Sequence, residues 1–389
     1  MDFGALALVV GAGLLGPALA STRRLTAPLV VGEIGAGLLI GQTGLGWIDA
    51  GAEPLASLGE IGFALLMLVV GTHLPLRQPG LKTGLRLGAA ATAATFVLAV
   101  PAAWAIREVT GLGSVGMIVL LLATSSAAIV LPVISDLQVE GRRVVAVMAW
   151  VAIADVVSVA GVPLVTSTTG LGEVLAGSLL VVVLAAGVYF LARTALAAEV
   201  MHHPERLGLE RDWGLRLRLS VLALFTLSWV ATSFSTSVLL AGFSLGFVIA
   251  LLGEPDSLAR ELIGVGEGFL IPVFFVLLGA KVDARELFTD HSNLVLLVAL
   301  VVGNVAVHLA VARVLRLGTP AGLVASAQMG VPSAIVAIGL GNGQLTAGQG
   351  AAIIVAAILT VGITAGAAAH LQSHRSRERA PTGPPQATT

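Results

Sequence analysis

The chain has 389 residues, 57% of them hydrophobic and only 11% charged, with a net charge of −1 and a mean hydropathy of +0.99. Soluble domains carry about 25% charged residues, so this is the composition of a polytopic membrane protein and not of a nucleic-acid binder. Cysteine is absent, which excludes disulfides and thiolate metal sites.

Thirteen apolar segments follow in order, at 3–20, 27–47, 55–74, 85–106, 113–135, 144–165, 172–195, 215–232, 235–252, 261–280, 292–315, 319–340 and 346–369. Each is of a length to cross a bilayer as a helix. No basic residue precedes the first, so it reads as a retained span rather than a cleaved signal. Residues 371–389 are polar, Arg-rich and then Pro/Thr-rich, and are expected to be a disordered cytoplasmic tail. Lysine occurs only at Lys82 and Lys281 beside many arginines, alanines and glycines, a pattern that fits a bacterial source.

Charge sets the expected orientation. The odd-numbered loops and the tail hold eighteen Arg or Lys residues, Arg23, Arg142, Arg143 and Arg316 among them; the even loops hold three, Arg107, Lys281 and Arg285. Positive residues stay inside, which places the N-terminus outside and the C-terminus in the cytoplasm, as an odd number of spans requires. The chain also repeats itself. Residues 58–71, LGEIGFALLMLVVG, resemble 265–279, VGEGFLIPVFFVLLG; residues 125–133, SSAAIVLPV, resemble 332–340, PSAIVAIGL; both pairs lie about 207 positions apart. Spans 1–6 would match spans 8–13, with span 7 as connector. Span 1 enters from outside and span 8 from inside, so the repeats are inverted, as in many secondary transporters.

Polar residues inside the spans are the candidates for function. Asp155 lies mid-way along span 6, where a carboxylate costs on the order of 3 kcal/mol to insert and must face a cavity, a partner, a proton or a cation. Span 5 carries Thr124, Ser125 and Ser126 and then Pro132, so its helix is expected to break, freeing hydroxyls and carbonyls to ligate a hard monovalent cation. The bland alternative is hydroxyls bonded back within the helix. Span 12 should break opposite at Gly330 and Pro332, with Gln328 and Ser333 beside the break. Glu33 sits among Gly32, Gly35 and Gly37 in span 2 and serves either a pathway or a structural pair. Glu60 and Glu267 occupy matching repeat positions near span ends and read as interfacial anchors. His73 and His308 are possible proton-linked groups, although a lone membrane histidine is more often a satisfied polar residue. Zinc-type spacings, phosphate loops and nucleophile elbows do not occur.

With PLVVGEIGAGLLIG at 28–41, LGEIGFALLMLVVG at 58–71, TSSAAIVLP at 124–132, Asp155 after a small residue and FFVLLGAKVD at 274–283, the chain resembles the monovalent cation:proton antiporter-2 family over nearly all of residues 1–370. The resemblance implies an all-α membrane protein of thirteen transmembrane helices, with inverted repeats and two broken helices crossing beside Asp155. It implies a homodimer in the bacterial cytoplasmic membrane and no cofactor beyond transported Na+ or K+ and H+. Residues 1–83 and 215–285 (helices 1–3 and 8–10) would form a dimerisation domain. Residues 84–166 and 286–370 (helices 4–6 and 11–13) would form a mobile core, and 167–214 a linking helix and cytoplasmic loop. The core would move like an elevator, with Asp155 as the shared proton and cation site.

Three family positions are altered. Ala154 precedes Asp155 where relatives often carry a second polar residue, Asn304 stands where span 11 often carries a basic one, and Val331 follows the span 12 glycine where an acidic residue is common. The nucleotide-binding regulatory domain of the potassium efflux members has no counterpart in this sequence. One carboxylate implies electroneutral cation/proton exchange. The alternatives are an exporter of an organic molecule or of a cation–ionophore complex, as in self-resistance, and a membrane enzyme or sensor that reuses the fold.

Overall fold

The computed structural model describes residues 3–20, 29–72, 81–127, 129–130, 134, 142–167, 170–197, 215–234, 236–252 and 264–379. The described residues are helices and short turns, and the helices occupy thirteen span positions. They are α1 (Phe3–Gly13, then Leu15–Ala20), α2 (Leu29–Ile40), α3 (Glu53–Thr72), α4 (Leu81–Thr110), α5 (Val115–Ala123), α6 (Arg142–Thr166), α7 (Leu171–Ala197), α8 (Leu215–Ser233), α9 (Val238–Leu252), α10 (Ile271–Lys281), α11 (His291–Val314), α12a (Thr319–Ala325) with α12b (Gly330–Gly341), and α13 (Ala347–Arg379). Seven described segments are long and apolar enough to cross a bilayer by themselves, and four more are apolar but shorter. His73, Pro132 and the basic residues Arg23, Arg24, Arg77, Arg206, Arg211 and Arg260 lie outside the described residues.

Local chemistry explains where the helices start and stop. Ser114 caps α5 by accepting the Met117 amide, and Asp290 caps α11 by accepting the Ser292 amide. α2 stops six or seven residues short of its expected end because the chain turns at Gly41–Gly44, and Gly46 takes φ +64°, the left-handed region glycine enters without a side-chain clash. α13 continues to Arg379, so the start of the stretch expected to be tail is helical; its Arg-rich sequence suits the C-terminal end of a helix.

A π turn over Gly266–Leu270 precedes α10. It accounts for a difference between the two related stretches, 58–71 and 265–279, the second of which is one residue longer. A single inserted residue is what a π turn accommodates.

Spans 1–3 and 7–10 pack among themselves, as do spans 4–6 and 11–13, and α6 also meets α7 and α9. Glycines bring backbones into close contact in two pairs, α2 with α10 and α3 with α9. A Cβ built on Gly37 would collide with the Val276 carbonyl, and one on Gly279 with the Ile34 carbonyl. Gly246 approaches the Leu68 carbonyl in the same way. Small residues let backbones meet where no hydrophobic drive exists between helices in lipid.

Candidate ion site at the crossing of two broken helices

Both expected breaks exist, and among the described residues each lies upstream of its proline. α5 ends at Ala123, Thr124 is extended at φ −71° and ψ 149°, and helix resumes at Ala127. The chain is therefore open at Thr124–Ser126, upstream of any bond Pro132 could remove. α12a ends at Ala325, and Ser326–Met329 are non-helical. Gly330 and Pro332, expected in the break, instead form the first turn of α12b, where a missing amide costs nothing. The second halves open at Ala127 and Gly330, 203 positions apart, one helical turn off the spacing of the sequence repeat.

The breaks are held to each other. The Ser126 amide donates to the Ala327 carbonyl at 2.8 Å, and the Ser125 hydroxyl donates to the Ala325 carbonyl. These bonds satisfy donors and acceptors that an unwound backbone would leave bare.

Asp155, 4% exposed, lies beside this crossing and accepts the Ala127 amide at 2.9 Å through Oδ2. Thr124, Ser125 and Ser126 are all buried. Gln328 and Ser333 are buried as well, and Gln328 Oε1 and Ser333 Oγ have no hydrogen-bond partner. Ser158, one turn along α6 from Asp155, is buried with an equally unpartnered Oγ. Its three-residue spacing from Asp155 was a signal the sequence offered and motif reading passed over. One carboxylate amid neutral oxygens is a donor set that a single monovalent cation would fit.

The altered family positions line the same region. Ala154 is packed against Ala127, Val130 and Trp150. Asn304 is buried, donates to the Leu122 carbonyl at 3.3 Å and leaves its Oδ1 without a partner. Val331 is buried in the main core.

His308 is closer to the crossing than its place on span 11 suggested. Its Nε2 lies 3.3 Å from Ser125 Oγ, its Nδ1 donates to the Asn304 carbonyl at 2.9 Å, and its ring stacks on Trp150 at 5.5 Å. Trp150 in turn donates to Thr95 Oγ1. Glu33 is not at this site. It is buried on α2 against Gly16 of α1.

A cavity of about 510 Å³ opens between the two groups of helices. Glu60, Thr166, Thr232, Lys281 and Asn342 line it; Asp155 does not. Glu60 thus faces a cavity rather than only anchoring an interface.

Residues 9–372 match the family described as "Sodium/hydrogen exchanger, transmembrane". The chain belongs to the sodium/hydrogen exchanger family. The family and its named relatives are cation:proton antiporters, transporters rather than enzymes.

The relatives span a range of cargo. The Bacillus subtilis protein YjbQ is 28% identical over 326 residues, 77% of this chain and 51% of that protein. The glutathione-regulated potassium-efflux system protein KefC of Klebsiella pneumoniae is 26% identical over 289 residues, 70% of this chain and 44% of that protein. The chain spans about half the length of both proteins. The sodium proton antiporter MjNhaP1 of Methanocaldococcus jannaschii has the same fold, with a TM-score of 0.65, 18% identity, and coverage of 95% of this chain and 98% of that one.

Proposed function

We propose that this protein exchanges a monovalent cation, Na+ or K+, for a proton, with Asp155 as the shared site. The observation that carries this is a buried carboxylate bonded to the first amide after the α5 break, beside hydroxyl and amide oxygens that lack partners. In this reading Thr124, Ser125, Ser126, Ser158 and Gln328 offer neutral oxygens, and Asp155 holds either the cation or the proton. Family membership and the names of the relatives support exchange; the choice of cation stays open between the two.

Spans 4–6 and 11–13 serve as the moving core, spans 1–3 and 8–10 as the dimer-forming frame, and span 7 as the link. The separate packing of the two groups supports this division. The chain works as a homodimer in a bacterial cytoplasmic membrane, N-terminus outside.

A site that carries one proton or one monovalent cation has the same charge in both loaded states, so a 1:1 cycle moves no net charge. Cation-driven proton movement in proteoliposomes tests the reading. It should be present, and its rate should not follow a valinomycin-clamped potential. A one-charge cycle would instead feel about 2.3 kcal/mol per 100 mV. A rate that tracks the potential would bring in a second charged group, and His308 beside Ser125 is the first to replace. A second reading, export of an organic molecule, is favoured by the 510 Å³ cavity, which exceeds what a bare ion needs.

A further inference from the structure

The cavity between the helix groups is shaped by helix ends. α6 ends at Thr166, α8 at Ser233, α10 at Lys281 and α12b at Gly341, and each contributes wall residues from its last turn. Two helices begin there, α3 at Glu53 and α9 at Val238. A helix C-terminus carries about half a negative elementary charge and an N-terminus about half a positive one. Four C-termini against two N-termini leave on the order of one negative charge from backbone alone. One helix-terminal carbonyl is already engaged, because Asn342 donates to the Thr166 carbonyl at 3.0 Å.

The charged side chains among the wall residues are Glu60 and Lys281. Glu60 adds to the negative field. Lys281, the last residue of α10, opposes it and brings the wall back to roughly the backbone's own value. A cleft of one sign concentrates counter-ions, so a lysine here works against capture of a cation.

We infer that Lys281 is an electrostatic brake at this mouth, which weakens cation capture from the cavity side and eases cation release into it. The role rests on the cation-exchange reading. It assigns the cavity as the low-affinity, discharging side of the cycle.

The test uses the absence of native cysteine. A single Ala56→Cys on the cavity wall reports local potential by its relative reaction rates with a cationic and an anionic methanethiosulfonate reagent. A unit charge at a separation on the order of 10 Å predicts that Lys281→Leu raises the cationic-to-anionic rate ratio about tenfold. Lys281→Arg should leave the ratio unchanged, and Lys281→Gln should repeat the rise if the leucine variant folds poorly. In oriented proteoliposomes, Lys281→Leu should lower the half-saturating cation concentration about threefold at the cavity face and leave the other face as it was. An unchanged reagent ratio overturns the inference, and so does a change in half-saturation that appears equally at both faces. Parent vesicles that move no protons on a cation gradient would instead sink the exchange reading, while the reagent ratio still decides what Lys281 does.

Discussion

The α2–α10 pair and the α5–α12 crossing both bring two backbones together inside the protein, but they solve the problem in opposite ways. At α2–α10, Gly37 and Gly279 remove side chains so that intact helices touch, and each carbonyl keeps its partner within its own helix. At the crossing the helices open, and a few bonds between the breaks replace the lost ones, while Asn304, Gln328 and Ser333 keep oxygens without partners. Contact made by glycine is stable and chemically silent. Contact made by opened helices leaves polar atoms free for a cargo.

If that contrast is right, activity and stability separate by region. Asp155→Asn should abolish cation-driven proton movement while the detergent-solubilised protein melts as the parent does; retained exchange in the variant breaks the comparison at its centre. Gly37→Leu should do the reverse, because the added side chain meets the Val276 backbone, which cannot yield. A loss of about 3 kcal/mol or more is expected, read as a large fall in melting temperature.

Two serines sharpen the comparison within the crossing. Ser125→Ala deprives the buried Ala325 carbonyl of its donor and should cost about 1–2 kcal/mol, together with a weaker apparent cation affinity. Ser158→Ala removes a hydroxyl with no bond to lose, so stability should hold within about 0.5 kcal/mol while the apparent affinity falls. Equal stability losses in the two variants would show that the Ser125 tie is not what joins the breaks.

The smallest effect belongs to a helix end outside both regions. The Ser292 backbone amide holds the exposed Asp290 carboxyl below the usual carboxylate range. A lowered folded-state pKa means a contribution that is present above the unfolded value and is lost as pH falls through the folded one. Asp290→Asn, which keeps the cap, should remove that pH dependence and alter little else; an unaltered acid limb in thermal melts would show that the cap is not its source.

Much of this was legible in the sequence. Thirteen apolar runs and Asp155 inside one of them follow from composition and spacing, because a bilayer tolerates few alternatives to a buried apolar helix, while the family was read from the resemblance of its motifs. The breaks were located to within a turn, but in span 12 for the wrong reason. Pro332 marked a helix start rather than a break, since position in the first turn, not the residue type, decides whether a proline disrupts. The nearness of His308 to Ser125 could not be read, because it depends on how α11 leans on α5, a tertiary fact with no local signature. Ser158 lay in plain view at three residues from Asp155 but is a common residue type, and only burial without a partner singles it out.

The π turn before α10 has a consequence in angular terms. One residue of α-helix is about 100° of rotation, so the extra residue in 265–279, left unabsorbed, would turn everything after it by that angle. With that residue absorbed at Gly266–Leu270, Gly279 points to α2 and Lys281 to the cavity. Regularising the turn while keeping its extra residue would swing both off their marks at once, so that Gly279 no longer meets Ile34 and the lysine leaves its wall, whereas deleting Gly268 together with the turn should keep both in place. The turn therefore holds the phase that the inserted residue would have shifted, and an alignment of the two halves that omits the gap will pair the wrong faces from this point onward.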